Sequence, residues 1–344
     1  MQQTIFGKTG LTVSRTGFGC IPIQRIPYEE STALLQHAYE HGVTLYDTAN
    51  SYTTSEDRIG TALHHVRSKI VLCTKSHALS SGELMENIEN SLRMLRTDYI
   101  DLLQIHNPPF VPRPGREDGL YDCLLKARAQ GKIRFIGITS HSRERAQEAV
   151  LSGLYDTLQY PLSYLSMDEE LALIDLCRNH NMGMLAMKGL CGGLLTNAKA
   201  AFAFIRQYDN VIPIWGMQKM SEIEEFFSYE KTPPLLDSTL RNAIEADKAE
   251  LTGSFCRSCG YCLPCSVDIP IPNAARITFL LRRTVKERYM TQEWQDNMRL
   301  IDNCTSCGHC KEHCPYGLDT PALLKRQQAE YFEMLAAMER SSEL

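Results

Sequence analysis

Short apolar runs alternate along the chain with longer segments in which apolar side chains recur every three or four positions. The runs Arg15–Cys20, Thr44–Thr48, Ile70–Lys75, Ile100–His106, Ile133–Ile138, Thr157–Tyr160, Met184–Met187 and Val211–Trp215 read as strands. Between them, Tyr28–His41 sets Leu34, Leu35 and Ala38 on one helical face, and Leu84–Leu95 repeats Leu84, Ile88, Leu92 and Leu95. Leu171–His180 and Met220–Phe227 show similar spacing. Eight strand–helix pairs at roughly 30-residue intervals are what a (β/α)₈ TIM barrel of ~250 residues requires. Near-continuous apolar strands such as Ile70-Val71-Leu72-Cys73 fit parallel strands buried on both faces. A doubly wound open sheet gives the same alternation, so periodicity alone does not separate the two. The opening stretch, with Gly7 and Thr9-Gly10-Leu11 between two short runs, predicts a hairpin ahead of the first barrel strand. The segment from Pro108-Pro109 to Pro114-Gly115 reads as a long loop after the fourth strand, where barrels build their active sites.

Composition narrows the class. The 344 residues are 43% hydrophobic and 22% charged with a formal net charge of −5, ordinary for a globular chain and without the basic excess of a nucleic-acid binder. No uncharged apolar stretch reaches about 18 residues, so no membrane span is expected. Met1–Lys8 lacks a basic region followed by an apolar one, so no secretion signal is expected and the location reads as cytoplasmic. The 13 Cys change the picture most. Cys20, Cys73, Cys123, Cys177 and Cys191 are scattered, and Cys20 and Cys191 read as small buried hydrophobes. The other eight crowd between residues 256 and 314, and in a reducing compartment such density implies metal or redox chemistry, not disulfides. The shift near residue 253 divides the chain into a barrel over 1–250 and a smaller, mainly α-helical domain over 251–344, too Cys-dense for a usual apolar core.

The second cysteine run is Cys304-x₂-Cys307-x₂-Cys310-x₃-Cys314-Pro315, the bacterial ferredoxin spacing for a 4Fe–4S cluster. The first, Cys256-x₂-Cys259-x₂-Cys262-x₂-Cys265, is one residue shorter at its end and has Pro264 before the last Cys. Tight loops at Gly260 and Gly308 would point successive sulfurs inward around one cuboidal cluster. Two zinc sites are the competing metal reading, but zinc knuckles pair across longer gaps and the Cys-Pro ending favours iron–sulfur. Two clusters follow, and in two-cluster ferredoxins the fourth Cys of each run serves the other cluster. On that pattern Cys256, Cys259 and Cys262 join Cys314, and Cys304, Cys307 and Cys310 join Cys265. The 38 residues between the runs read helical, with Ile277, Leu280, Leu281 and Val285 on one face, which resembles the α-helical dicluster ferredoxin domain. Arg282, Arg283, Lys286 and Arg288 form either a docking face for an acidic electron carrier or, more simply, a solvated helix face. His309 and His313 read as residues beside the cluster or on the surface.

Four polar residues stand at the ends of strands two to four: Asp47 in Leu45-Tyr46-Asp47, Tyr52 in the loop after it, Lys75 in Cys73-Thr74-Lys75 and His106 closing Asp101–His106. The intervals of 28 residues from Asp47 to Lys75 and 31 from Lys75 to His106 are one strand–helix unit each, which brings all four to one mouth. Singly, each is an ordinary salt-bridged or satisfied residue. Together with Gly10–Gly19, Tyr46–Tyr52, Thr74-Lys75, Asp101–His106, Gly137-Ile138-Thr139-Ser140 and Gln159, they make a chain that resembles the aldo/keto reductase family over about residues 3–230. The resemblance implies the barrel and an Asp–Tyr–Lys–His tetrad: Tyr52 as general acid/base, Lys75 as its electrostatic activator, Asp47 as the partner of Lys75, and His106 orienting the carbonyl. The charge logic agrees, since a tyrosine near pKa 10 needs a neighbouring ammonium to stabilise its anion.

The resemblance also implies NAD(H) or NADP(H), with Ser140 and Gln159 at the nicotinamide carboxamide and Gly216 and Lys219 at the phosphates. His141 stands where relatives carry Asn, Ala186-Met187-Lys188 replaces an aromatic, and Glu222 replaces an Arg for the 2′-phosphate, a carboxylate better suited to a ribose hydroxyl. Nicotinamide moves two electrons and each cluster one, so direct exchange needs a flavin-like switch, for which the chain shows no fingerprint. The reading is an iron–sulfur oxidoreductase interconverting a small carbonyl and an alcohol, linked to 4Fe–4S electron transfer and served by a ferredoxin or flavoprotein partner. Two alternatives stand beside it: a ferredoxin-fed reductase that uses no nicotinamide, and a non-catalytic electron-transfer subunit with the barrel as docking module.

Overall fold

The computed structural model describes residues 1–251, 255–283 and 286–342. The expected boundary near residue 253, Val285, and the side chains of Arg283 and Lys286 lie outside the described residues. Two compact units are present: Met1–Gly189 with Lys199–Asp237, and Leu190–Ala198 with Ser238–Leu344.

The first unit opens with a hairpin, β1 (Gln3–Ile5) antiparallel to β2 (Thr12–Ser14). Eight parallel strands follow: β3 (Gly17–Gly19), β4 (Leu45–Asp47), β5 (Val71–Ser76), β6 (Ile100–His106), β7 (Ile133–Thr139), β8 (Thr157–Pro161), β9 (Gly183–Met187) and β10 (Val211–Gly216). They close as β10-β3-β4-β5-β6-β7-β8-β9, which removes every sheet edge. The helices are α1 (Tyr28–Glu40), α2 (Ser55–Leu63), α3 (Ser81–Leu95), α4 (Leu120–Ala129), α5 (Arg143–Ser152), α6 (Asp168–Asn179), α7 (Ala198–Arg206) and α8 (Met220–Lys231), one after each barrel strand. The TIM barrel is thus present, and all eight expected strands lie within one or two residues of their predicted limits.

Strands β5 and β6 are buried at every position, which is why their stretches Val71-Leu72-Cys73 and Leu102-Leu103 read as near-continuous apolar runs. The hairpin supplies a floor: Phe6 and Val13 pack against Leu45, Leu102, Leu185 and Ile212 at the base of the barrel. Burying each such side chain contributes ~1.5–3 kcal/mol. Above this layer the interior turns polar. Gly137 is needed there, because a Cβ on it would sit 2.8 Å from Gln104 Cγ and 2.4 Å from Thr157 Oγ1.

The second unit is helical: α9 (Ser238–Glu250), α10 (Ile271–Ala274), α11 (Ile277–Arg283), α12 (Gln292–Arg299), α13 (His309–Glu312) and α14 (Thr320–Ser342). It has more apolar core than its cysteine density suggests. Ile277, Leu280 and Leu281 on α11 are buried with Leu323, Leu324 and Tyr331 on α14, at the helical spacing of one face. Gln327 of α14 accepts from Thr278 N at 3.1 Å and from its hydroxyl at 2.9 Å, and Tyr331 donates to the Tyr289 carbonyl at 2.8 Å. No described helix is long and apolar enough to cross a membrane.

Candidate active site and metal centre

The polar layer at the carboxyl ends of the barrel strands is built by four neighbours. Lys75, at the end of β5, is 1% exposed and donates to Asp47 Oδ2 and to the Thr48 carbonyl, each at 2.6 Å. Asp47 accepts a further bond from Gln104 Nε2 at 3.2 Å, and Gln104 also donates to Gln159 Oε1 at 2.9 Å. A charged pair taken this far out of water persists only when its remaining hydrogen bonds are met. Tyr52, half-buried in the loop after β4, lies with its ring centroid 5.2 Å from Lys75 Nζ and 5.9 Å from the His106 ring, edge-on. The four residues predicted to converge therefore do so.

The electrostatics differ from expectation at Tyr52. Burial raises its pKa and the Asp47 carboxylate adds to this, so the Lys75 ammonium offsets only part of the rise. The phenol is accordingly a protonated donor, not a preformed tyrosinate. Burial alone would lower the Lys75 pKa, but Asp47 and Tyr52 outweigh it and hold the ammonium charged. Burial raises the Asp47 carboxyl, against the pull of Lys75. His106 is pushed well below its ordinary value, first by burial and then by His77, Lys75, His141 and Lys188, so its ring is neutral. Among the described residues His106 Nδ1 has no hydrogen-bond partner, an orphaned buried atom at the centre of the mouth.

The other expected site residues make hydrogen bonds within the chain. Gln159, read as a carboxamide ligand, is turned into the Asp47–Gln104 network. Ser140 spends its hydroxyl locally, donating to the Ser142 carbonyl at 2.9 Å and accepting from Ser142 N at 3.1 Å. Gly216 and Lys219 are exposed before α8, but Glu222 folds back to accept from the Gln218 and Lys219 amides at 2.8 and 3.2 Å. Those two amides are thereby occupied by the chain's own carboxylate, an arrangement that disfavours a phosphate at the same spot. Cys20 is fully buried, as expected of a small hydrophobe, and Cys191 nearly so.

Two polar neighbours escaped the sequence reading. Gln104 signalled itself as the uncharged polar residue inside an apolar run, two positions before His106 and so on the same face. His77, exposed, stacks on His106 with ring centroids 3.8 Å apart and planes at 17°, a contact that only the folded chain reveals. Elsewhere on this unit, His37, His41 and Glu224 each bring a possible ligand atom within 4.8 Å of the others, with His37 Nε2 hydrogen-bonded to Glu224 Oε1 at 2.6 Å.

In the second unit the eight cysteines gather around two adjoining cavities. One is lined by Cys256, Cys259, Cys262, Cys310 and Cys314. The other is lined by Cys262, Cys265, Cys304, Cys307 and Cys310. Cys314 thus lies with the first run and Cys265 with the second, while Cys262 and Cys310 line both cavities. Both runs read Cys-x-Ser-Cys-Gly at their bends: Ser258 and Gly260 have φ of 53° and 85°, Ser306 and Gly308 of 56° and 80°. Matching left-handed residues curl each run around its cavity, and the Ser258 amide points at Cys256 Sγ at 3.3 Å. Thiols in two tight groups of four with amide donors to sulfur fit iron–sulfur ligation. Cys256 and Cys262 are buried, whereas Cys307 is exposed.

The profile of the Aldo/keto reductase family matches residues 15–201, and that of the 4Fe-4S dicluster domain matches residues 255–319. The chain belongs to the aldo/keto reductase family and carries a 4Fe-4S dicluster domain toward its C-terminus. It is 31% identical over 220 residues to Aldo-keto reductase YhdN of Bacillus subtilis, covering 57% of this chain and 64% of that one. It is 29% identical over 209 residues to L-galactose dehydrogenase of Arabidopsis thaliana, covering 55% and 66%. The chain thus spans just under two thirds of these relatives' lengths. Among solved structures, a putative aldo-keto reductase from Pseudomonas aeruginosa superposes with TM-score 0.58 at 25% identity, covering 65% of this chain and 91% of that one. An aldo-keto reductase from Klebsiella pneumoniae in complex with NADPH shares the fold, with TM-score 0.62 at 21% identity, covering 72% and 95%.

Proposed function

We propose that this chain is an NAD(P)-dependent oxidoreductase that interconverts a small carbonyl compound and its alcohol on the barrel, residues 1–250, and carries two 4Fe–4S clusters on residues 251–344. The observation behind the barrel chemistry is the Lys75 ammonium fixed between the Asp47 carboxylate and the Tyr52 ring, beside a neutral His106 with an unpaired Nδ1. In reduction, the cofactor supplies a hydride to the carbonyl carbon. The neutral His106 ring fixes the carbonyl oxygen by hydrogen bonding, and Tyr52 gives that oxygen its proton. The tyrosinate left behind is stabilised by Lys75, which Asp47 holds in place; in alcohol oxidation the same groups run in reverse. Ser140 and Gln159 would hold the nicotinamide carboxamide, and Gly216 and Lys219 would face the phosphates. Because Glu222 occupies two amides there, the reading favours NAD(H) over a cofactor with a 2′-phosphate.

Each cluster supplies a one-electron store. Cys256, Cys259, Cys262 and Cys314 hold one, and Cys265, Cys304, Cys307 and Cys310 the other. A ferredoxin or flavoprotein exchanges electrons with them. Tyr52→Phe, purified anaerobically, tests the barrel assignment. Turnover falls by about 10²–10⁴-fold, with the thermal midpoint and iron content of the parent; unchanged turnover refutes the role of Tyr52.

A second reading has its own support: Ser140 and Gln159 are satisfied within the chain and Glu222 covers the amides before α8. On that reading the barrel takes electrons from ferredoxin and binds no nicotinamide. Saturable NADH or NADPH binding, measured by quenching of Trp215 and Trp294 fluorescence, excludes it.

A further inference from the structure

Arg276 is 4% exposed in the turn between α10 and α11. Its Nε donates to the Pro272 carbonyl at 3.0 Å, Nη1 to the Cys191 carbonyl at 3.1 Å and Nη2 to Asn273 Oδ1 at 3.4 Å. All are neutral acceptors. Among the described residues no carboxylate lies within ion-pair distance of it. A guanidinium taken out of water without a counter-charge is costly, and buried charges are normally paired. The nearest candidate is the first cysteine group. Cys256 Sγ lies 3.8 Å from the same Pro272 carbonyl oxygen that receives Arg276 Nε, and Ser258, two residues on, packs with Gly192 beside the guanidinium.

The second cysteine group has a different setting. Its cavity is lined by Ser266, Thr305, Ser306 and His309 alongside the thiols, with no lysine or arginine, whereas Arg257 lines the first cavity; Cys307 is open to solvent.

We propose that Arg276 is a buried counter-charge of the cluster ligated through Cys256, raising that cluster's reduction potential and leaving the cluster of the Cys304–Cys310 run unaffected. This rests on the two-cluster reading above. The step concerned is the uptake of one electron by one cluster from an external reductant, with no bond made or broken. Reduction adds negative charge beside a fixed positive one in a poorly solvated site, where the attraction is far stronger than in water. Burial by itself disfavours the more negative reduced state, and Arg276 offsets that penalty. Cluster potentials respond to such local charge and hydrogen bonding.

The test is an anaerobic dithionite titration of the whole chain followed by EPR, after iron and sulfide have been counted. Two clusters in the parent protein establish the reading on which the proposal rests; fewer refute that reading on their own account. In Arg276→Gln with full iron content, one potential moves negative by about tenfold in the reduction equilibrium, ~59 mV for one electron, and the other stays. Two unmoved potentials overturn the proposal. If Arg276→Gln sheds iron, Arg276→Lys decides. Retained iron with a potential near the parent's supports a charge role, and loss of iron there too assigns Arg276 to loop structure and overturns it.

Discussion

The barrel and the cysteine unit bury charge in opposite ways. At the barrel mouth Lys75 meets Asp47 at 2.6 Å, and Gln104 and Gln159 complete the carboxylate's hydrogen bonds, so the chain itself neutralises its polar centre. In the cysteine unit eight thiols surround two cavities, and the adjacent buried arginine has only neutral acceptors. The first site is complete as soon as the strands close. The second is completed by the metal, whose binding becomes part of the folding free energy.

That contrast breaks most visibly on removing iron. Anaerobic chelation of the whole protein is expected to expose the backbone amides of α11 and α14 to hydrogen exchange, while β5 and β6 keep their protection. Equal protection in both units before and after chelation means that the thiols do not organise the second unit. Next in size is Lys75→Met, which strands the Asp47 carboxylate without its partner. Removing one half of a buried pair costs about 3–5 kcal/mol, so urea unfolding of the barrel should shift by that amount, with the iron content unchanged. A shift under about 1 kcal/mol places the pair in the weakly contributing class of exposed ion pairs.

The smallest effect is the dependence on pH. His106 has its pKa depressed by burial and by His77, Lys75, His141 and Lys188, so the folded ring refuses a proton that the unfolded one accepts below about pH 6.5. Its contribution is full above that pH and is lost as pH falls, at up to about 1.4 kcal/mol per unit. His106→Gln should flatten the difference in urea midpoint between pH 7 and pH 5.5; a dependence identical to the parent's removes His106 as its source.

How much of this was legible in the sequence follows from burial. All eight barrel strands were readable because strands buried on both faces appear as apolar runs. Helices such as α2 and α5 were harder, since α2 buries Glu56 and Arg58 and α5 faces the sheet with Ala146 and Ala149, so neither shows a broad apolar stripe. The tetrad was legible because strand ends in register share a mouth. The turning of Gln159 and Ser140 into local hydrogen bonds was not, because amide and hydroxyl partners are chosen only when the strands close. The tight loops at Gly260 and Gly308 were legible, but the matching left-handed Ser258 and Ser306 belong to the folded loops.

The central claim is that the barrel performs hydride chemistry with Tyr52 as its proton donor. The most direct measurement is transfer of deuterium from 4-deuterated NADH or NADPH to an aldehyde such as 4-nitrobenzaldehyde, under argon, in the parent and in Tyr52→Phe. The account predicts one deuterium at the alcohol carbon with the parent and almost none with the variant. Alcohol formed without deuterium, and only when reduced ferredoxin is supplied, would contradict it.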